Sequence, residues 1–171
     1  FYNGSSQFFS NISGSIMAII MNSFLLYYGG AVGVAAYSIV MYIESLIVPM
    51  LFGMIDAVQP VFSYNYGAKN NKRIMTFFKI TCTVALSISI VTMIIIFVFP
   101  DFLVRMFSSE SDIAVIDMAK KALLLYAPSY LFTWFIMTVS GVLTGLEKAT
   151  ESIVLMSAES IILPLFSTLV L

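Results

Sequence analysis

The chain has 171 residues, 60% of them hydrophobic, 15% aromatic and 10% charged, with a formal net charge of −1; a soluble domain carries about 25% charged residues. Mean hydropathy is +1.01, a membrane value, and the charge balance gives no electrostatic case for nucleic acid. The single cysteine, Cys82, rules out a disulfide within the chain, and the lack of histidine removes imidazole ligands, histidine triads and a histidine proton relay.

No charged residue precedes Glu44. A spanning helix needs roughly 20 apolar residues. The uncharged run of 43 residues would make a helix of about 65 Å, about twice the hydrocarbon core of roughly 30 Å, so it has to turn once. The turn belongs at "YYGG", Tyr27 to Gly30, where glycine relieves the helix and tyrosine favours the interface. Five spans follow, at residues 6–28, 32–62, 74–99, 122–144 and 152–171. The runs are continuous rather than alternating, which favours helices over a barrel. No basic segment precedes the first span, and four more follow it, so it is not a cleaved signal peptide. The expected fold class is an all-α membrane protein.

The stretch between spans two and three, "QPVFSYNYGAKNNKRI", carries Lys69, Lys72 and Arg73, with Lys79 nearby and no acid. The positive-inside rule puts this link, residues 63–73, in the cytoplasm. Gly67 is expected to stop the helix, the asparagines to make the turn, and Tyr64 and Tyr66 to anchor at the headgroups. The whole stretch reads as a hinge rather than a binding site. The next link sets Asp101, Glu110, Asp112 and Asp117 against Arg105 and belongs outside. Lys120 and Lys121 end an amphipathic surface segment, residues 112–121, before the fourth span. "GLEKATES" carries only Lys148 among cations and says little. The N-terminus is then inside and the C-terminus outside. The chain starts on Phe1 and stops within an apolar run, as a fragment of a larger polytopic protein would.

Acids within the membrane are costly and mark functional positions. Glu44 lies near the middle of the second span, and Pro49, five residues on, is expected to kink the helix there and free a carbonyl. Together they suggest a cation or proton site; a structural residue bonded to a neighbouring helix is the plainer alternative. Glu159, followed by Pro164, repeats the spacing in the fifth span. Asp56 is twelve residues from Glu44, about 18 Å along the axis and about 120° around it, so the two cannot form one site on a straight helix. Asp56 and Gln59 share a face near the cytoplasmic end, as an entrance or gate or as interfacial solvation. Asn11, Asn22 and the serines of the first span are candidates for interhelical hydrogen bonds, and Asn22 also for cavity lining. Trp134 and Met137, with Phe132 and Phe135, suit an apolar drug pocket or face lipid. Tyr126 and Tyr130 flank Pro128, where an aromatic belt is the default.

"GGAVGVAAYSIVMYI" and "PMLFGMIDAVQPVFSYNYGAKNNKRI", with "FPDFLVRMFSSESD" and "SGVLTGLEKATESIVLMSAESIILPL" in the same order, resemble the second half of the multidrug and toxic compound extrusion (MATE) transporters, most of all their MepA/DinF-like bacterial branch. The resemblance implies twelve helices in two six-helix lobes, with this chain at helices seven to eleven and the N-terminal lobe and last helix missing. It implies a multi-pass protein of the bacterial inner membrane whose partners are the lipid bilayer and amphipathic, often cationic drugs. It implies cation-coupled antiport, with Na+ or H+ as coupling ion and no other cofactor, and no enzyme activity. Some members of that family use carboxylates in the seventh and tenth helices, and here the first and fourth spans have no acid. Others use an aspartate of the first helix, outside this chain. Glu44 and Glu159 therefore rest on their depth alone. A lipid-linked saccharide flippase of the same superfamily is the alternative, but it would need cations at mid-depth to hold pyrophosphate. A non-transporting membrane scaffold would tolerate neutralising both glutamates. An intramembrane enzyme has no histidine or paired acids to work with.

Overall fold

Long apolar runs without alternation satisfy their backbone polar groups within themselves, as helices, which is the requirement lipid imposes. The computed structural model describes residues 5–108 and 112–158. Its elements are α1 (Ser5–Gly67), α2 (Asn71–Val98), α3 (Pro100–Arg105), α4 (Ile113–Tyr126), a 3₁₀ turn (Ala127–Ser129), α5 (Tyr130–Gly145) and α6 (Ala149–Ser157). Among the described residues there is no strand. Three helical stretches are long and apolar enough to cross a membrane: Gly14–Gly67, Asn71–Val98 and Ile113–Gly145. The first would be about 80 Å long if straight.

It is not straight. Gly30, at the end of "YYGG", has φ 60° and ψ −159°, a backbone region essentially confined to glycine. It divides α1 into an arm of residues 5–29 and an arm of residues 31–67. The prolines do less than the sequence suggests. Pro49 and Pro60 lie inside the second arm, where Gly30 is the only departure from helical dihedrals in α1. At Pro49 the backbone stays helical, with no break like that at Gly30. Ser45, whose carbonyl Pro49 leaves without its helical donor, is exposed, as is Pro49 itself, so the missing bond falls on the outer face.

The helix ends also differ from expectation. α1 does not stop through Gly67. The left-handed residue is Lys69, φ 54°, which lets the Asn70 N–H reach back to the Asn65 carbonyl at 2.9 Å, the Schellman closure. Asn70 then caps α2, its side-chain oxygen accepting the Arg73 N–H at 3.2 Å. α5 ends the same way, with Glu147 at φ 62° and the Lys148 N–H on the Leu143 carbonyl at 2.9 Å. The two ends are neighbours: the Ser63 hydroxyl donates to the Gly145 carbonyl at 2.8 Å.

Residues 113–121, expected as a surface segment, are instead the first turns of α4. Ile116, Ala119 and Leu123 repeat at helical spacing and are buried against Ala36, Ile39, Val40 and Ile43 of α1. Lys120 does not end a segment; it pairs with Asp101 of α3 at 2.7 Å. A second cluster joins Leu51 and Ile55 of α1, Ala85 of α2 and Met137 of α5. Lipid is as apolar as these side chains, so close packing, rather than escape from water, holds such clusters together. The spans' hydroxyls mostly look inward to their own helix. Ser15 donates to the Asn11 carbonyl and Ser23 to the Ile19 carbonyl, each at 2.9 Å, so these serines do not bridge helices.

Candidate functional site

Glu44 follows the buried stripe Ala36, Ile39, Val40 and Ile43 on the second arm of α1, which carries it into the interior edge of the first cluster, half-buried. The Tyr126 hydroxyl donates to its Oε1 at 3.0 Å. Tyr126 is the last residue of α4. Pro128 has no N–H to continue an α-helical ladder, so the chain tightens into the 3₁₀ turn Ala127–Ser129, where the Ser129 hydroxyl takes up the Tyr126 carbonyl at 2.7 Å. Tyr130 then opens α5. Its ring meets that of Tyr126 edge-on, centroids 5.6 Å apart at 90°. It is 1% exposed, and its hydroxyl has no hydrogen-bond partner. Tyr37, seven residues before Glu44 and so on the same helix face, lies within electrostatic reach of the carboxylate, as does Tyr130.

The belt expected at Tyr126 and Tyr130 is therefore replaced by an inward-facing phenol pair around one carboxylate. No cation neutralises it: among the described residues the ion pair is Lys120 with Asp101. Among the described residues no group of three or more acidic or cysteine ligands is placed to hold a metal ion. One carboxylate with a phenol donor and a spare phenol oxygen can hold a proton or a monovalent cation by oxygen ligands. Further along α5, Trp134 Nε1 and Thr138 Oγ1 are also buried without partners, at the i+4 and i+8 positions from Tyr130.

Asp56 and Gln59 belong to a second location. With Met137, Ser140 and Thr144 of α5 and Met156 of α6 they line a crevice of about 10 Å³, room for about one water. The helices meet tightly here. A Cβ on Gly141 would overlap the Ile55 side chain, and one on Gly145 would lie 3.0 Å from Phe62 Cβ. Ser152 of α6 donates to the Ser140 carbonyl at 3.1 Å, and Thr144 donates to the Ser152 hydroxyl at 3.1 Å. Trp134 packs on the second cluster beside Met137, whereas Phe132 and Phe135 are exposed. Asn22 is exposed on the first arm of α1. Glu159 lies outside the described residues.

Of the residues singled out in the sequence, Asp56, Gln59 and Met137 thus share one crevice, Glu44 stands apart with tyrosines, and Asn22 joins neither. The glycine pair and the hydroxyl group were missed. "GVLTG", residues 141–145, has the G-x-x-x-G spacing that allows close helix approach and could have been found by that signal. No local pattern reports which carbonyl Ser152 will reach.

A family model described as MatE matches residues 7–169. No curated protein and no solved structure matches the chain.

Proposed function

The chain belongs to the MatE family of transporters, and on that premise we propose that it serves a cation-coupled antiporter, in which Na+ or H+ enters while an amphipathic, often cationic drug leaves. The observation that carries this reading is the hydrogen bond from Tyr126 to Glu44 beside the unpartnered Tyr130 hydroxyl. A carboxylate in apolar surroundings without a cationic partner gains from a proton or a metal cation, and a cationic drug competes for the same charge. Mutually exclusive occupancy is what antiport requires. The bond also joins α1 to the end of α4, so neutralising Glu44 weakens a contact between two elements and biases their relative position. The buried polar residues described include no Lys or Arg, which favours a cationic cargo over a pyrophosphate-linked saccharide.

Glu159 is the second coupling candidate, and Asp56 with Gln59 forms the entrance or gate. We place the protein in the bacterial inner membrane, within the MepA/DinF-like branch, with the links at residues 68–70 and 146–148 in the cytoplasm. Drug efflux against imposed sodium and proton gradients tests the reading. Glu44→Gln and, separately, Glu159→Gln are expected to lower gradient-driven efflux at least tenfold at unchanged expression. Wild-type rates in both variants would remove these coupling sites.

A further inference from the structure

A groove of about 340 Å³ runs along the seam between the end of α1 and the start of α2, lined by Pro60, Val61, Tyr64, Asn65, Arg73 and Phe77. Asn65 contributes little polarity to it, because its side-chain nitrogen donates to the Val61 carbonyl at 2.7 Å. Arg73 and Phe77 are four residues apart on one face of α2, with Phe77 about 6 Å further from the link. The groove's lining is almost wholly apolar, with Arg73 bordering it at the end nearer the link and Phe77 deeper in the spanning segment. Its surroundings are basic. Between Asp56 and Asp101 the chain has no acid and four cations, Lys69, Lys72, Arg73 and Lys79. None of the four makes an ion pair among the described residues.

We infer that this groove binds one anionic phospholipid, its phosphate on the Arg73 guanidinium and an acyl chain along Phe77, Val61 and Pro60. The planar guanidinium suits bidentate phosphate, and basic pockets between membrane helices at the cytoplasmic surface hold lipid headgroups. The apolar floor distinguishes a lipid from a free phosphate, which needs no floor. The uncompensated cations distinguish it from an apolar protein segment, which needs no charge. The link read from sequence as a hinge alone then also holds a lipid. The inference does not depend on Glu44 or on the coupling ion.

The test is native mass spectrometry of the purified protein in detergent micelles doped with phosphatidylglycerol or phosphatidylcholine. Working in micelles separates lipid binding from membrane orientation. The wild type is expected to retain phosphatidylglycerol over phosphatidylcholine, and Arg73→Gln to lower that retention about fivefold. Arg73→Gln leaves intact the backbone N–H that Asn70 caps. Lys120→Gln, which removes a cation paired elsewhere, is expected to leave retention unchanged, and Val61→Trp, which fills the groove, to abolish it. Equal retention of the two lipids by the wild type overturns the inference. So does an equal loss in Arg73→Gln and Lys120→Gln, which marks diffuse charge attraction. Displacement of the lipid by glycerol phosphate at equal concentration, or full retention in Val61→Trp because another segment of protein covers the groove, also overturns it.

Discussion

A buried hydroxyl without a partner costs about 1–3 kcal/mol, and Tyr130 keeps one at 1% exposure where phenylalanine would pack as well. Tyr130→Phe is therefore expected to raise the thermal unfolding midpoint while lowering gradient-driven efflux, the trade made where a site is built at the expense of stability. Tyr126→Phe removes a hydrogen bond to Glu44; such bonds to charged groups are worth about 1.5–3 kcal/mol. Efflux is expected to fall roughly tenfold, with a smaller loss of stability than Tyr130→Ala, which leaves a cavity. Equal efflux by wild type and both phenylalanine variants would reduce the pair to packing. At this scale Glu44 stood out in the sequence by its cost in a membrane, but its partners did not. Tyr126 and Tyr130 lie 82 residues or more beyond Glu44, and an aromatic near a span end has two equally local explanations, the interface and the interior.

The elements are held by two glycine positions of different kind. Gly30 is needed for its backbone angles: Gly30→Ala is expected to destabilise by about 1–3 kcal/mol. Gly141 is needed for its missing side chain, since a Cβ there overlaps Ile55; Gly141→Ala is expected to cost about 1–3 kcal/mol by overpacking. Gly53, where an added Cβ would meet nothing within 4 Å, is the control, and Gly53→Ala leaves the unfolding midpoint unchanged or raised. Thermal unfolding in detergent reads all three. The break at Gly30 was legible because an uncharged run twice the membrane thickness has to turn where glycines permit it. The unbroken helical backbone at Pro49 was not, because proline removes one hydrogen bond without ending the helix. The start of α4 at Ile113 was hidden by Asp117, Lys120 and Lys121, which look like surface until Lys120 finds Asp101 and the apolar stripe between them finds α1.

Across the whole molecule the contacts sort the links into two ends. The Ser63–Gly145 hydrogen bond puts the link after α1 beside the link after α5, while Gly29 and Gly33, flanking the break, both face Met118 of α4. In a Cys82→Ser background, single cysteines at Ala68 and Lys148 are expected to label from one side of the membrane, and one at Tyr28 from the other; labelling of Ala68 and Lys148 from opposite sides would break this arrangement. Reversal of orientation by Lys72→Gln with Arg73→Gln would identify the cytoplasmic side. The amino-acid sequence by itself determined that the chain is helical and apolar enough for a bilayer and that it resembles the MATE transporters, because hydropathy, charge spacing and motif order are local or linear properties. Only the tertiary structure decided that Glu44 meets Tyr126, that Asp56 and Gln59 meet Met137 beside a glycine contact, and that Arg73 borders an apolar groove. Those meetings depend on the register and rotation of one helix against another, fixed by shape at a few small residues and invisible in a segment read alone.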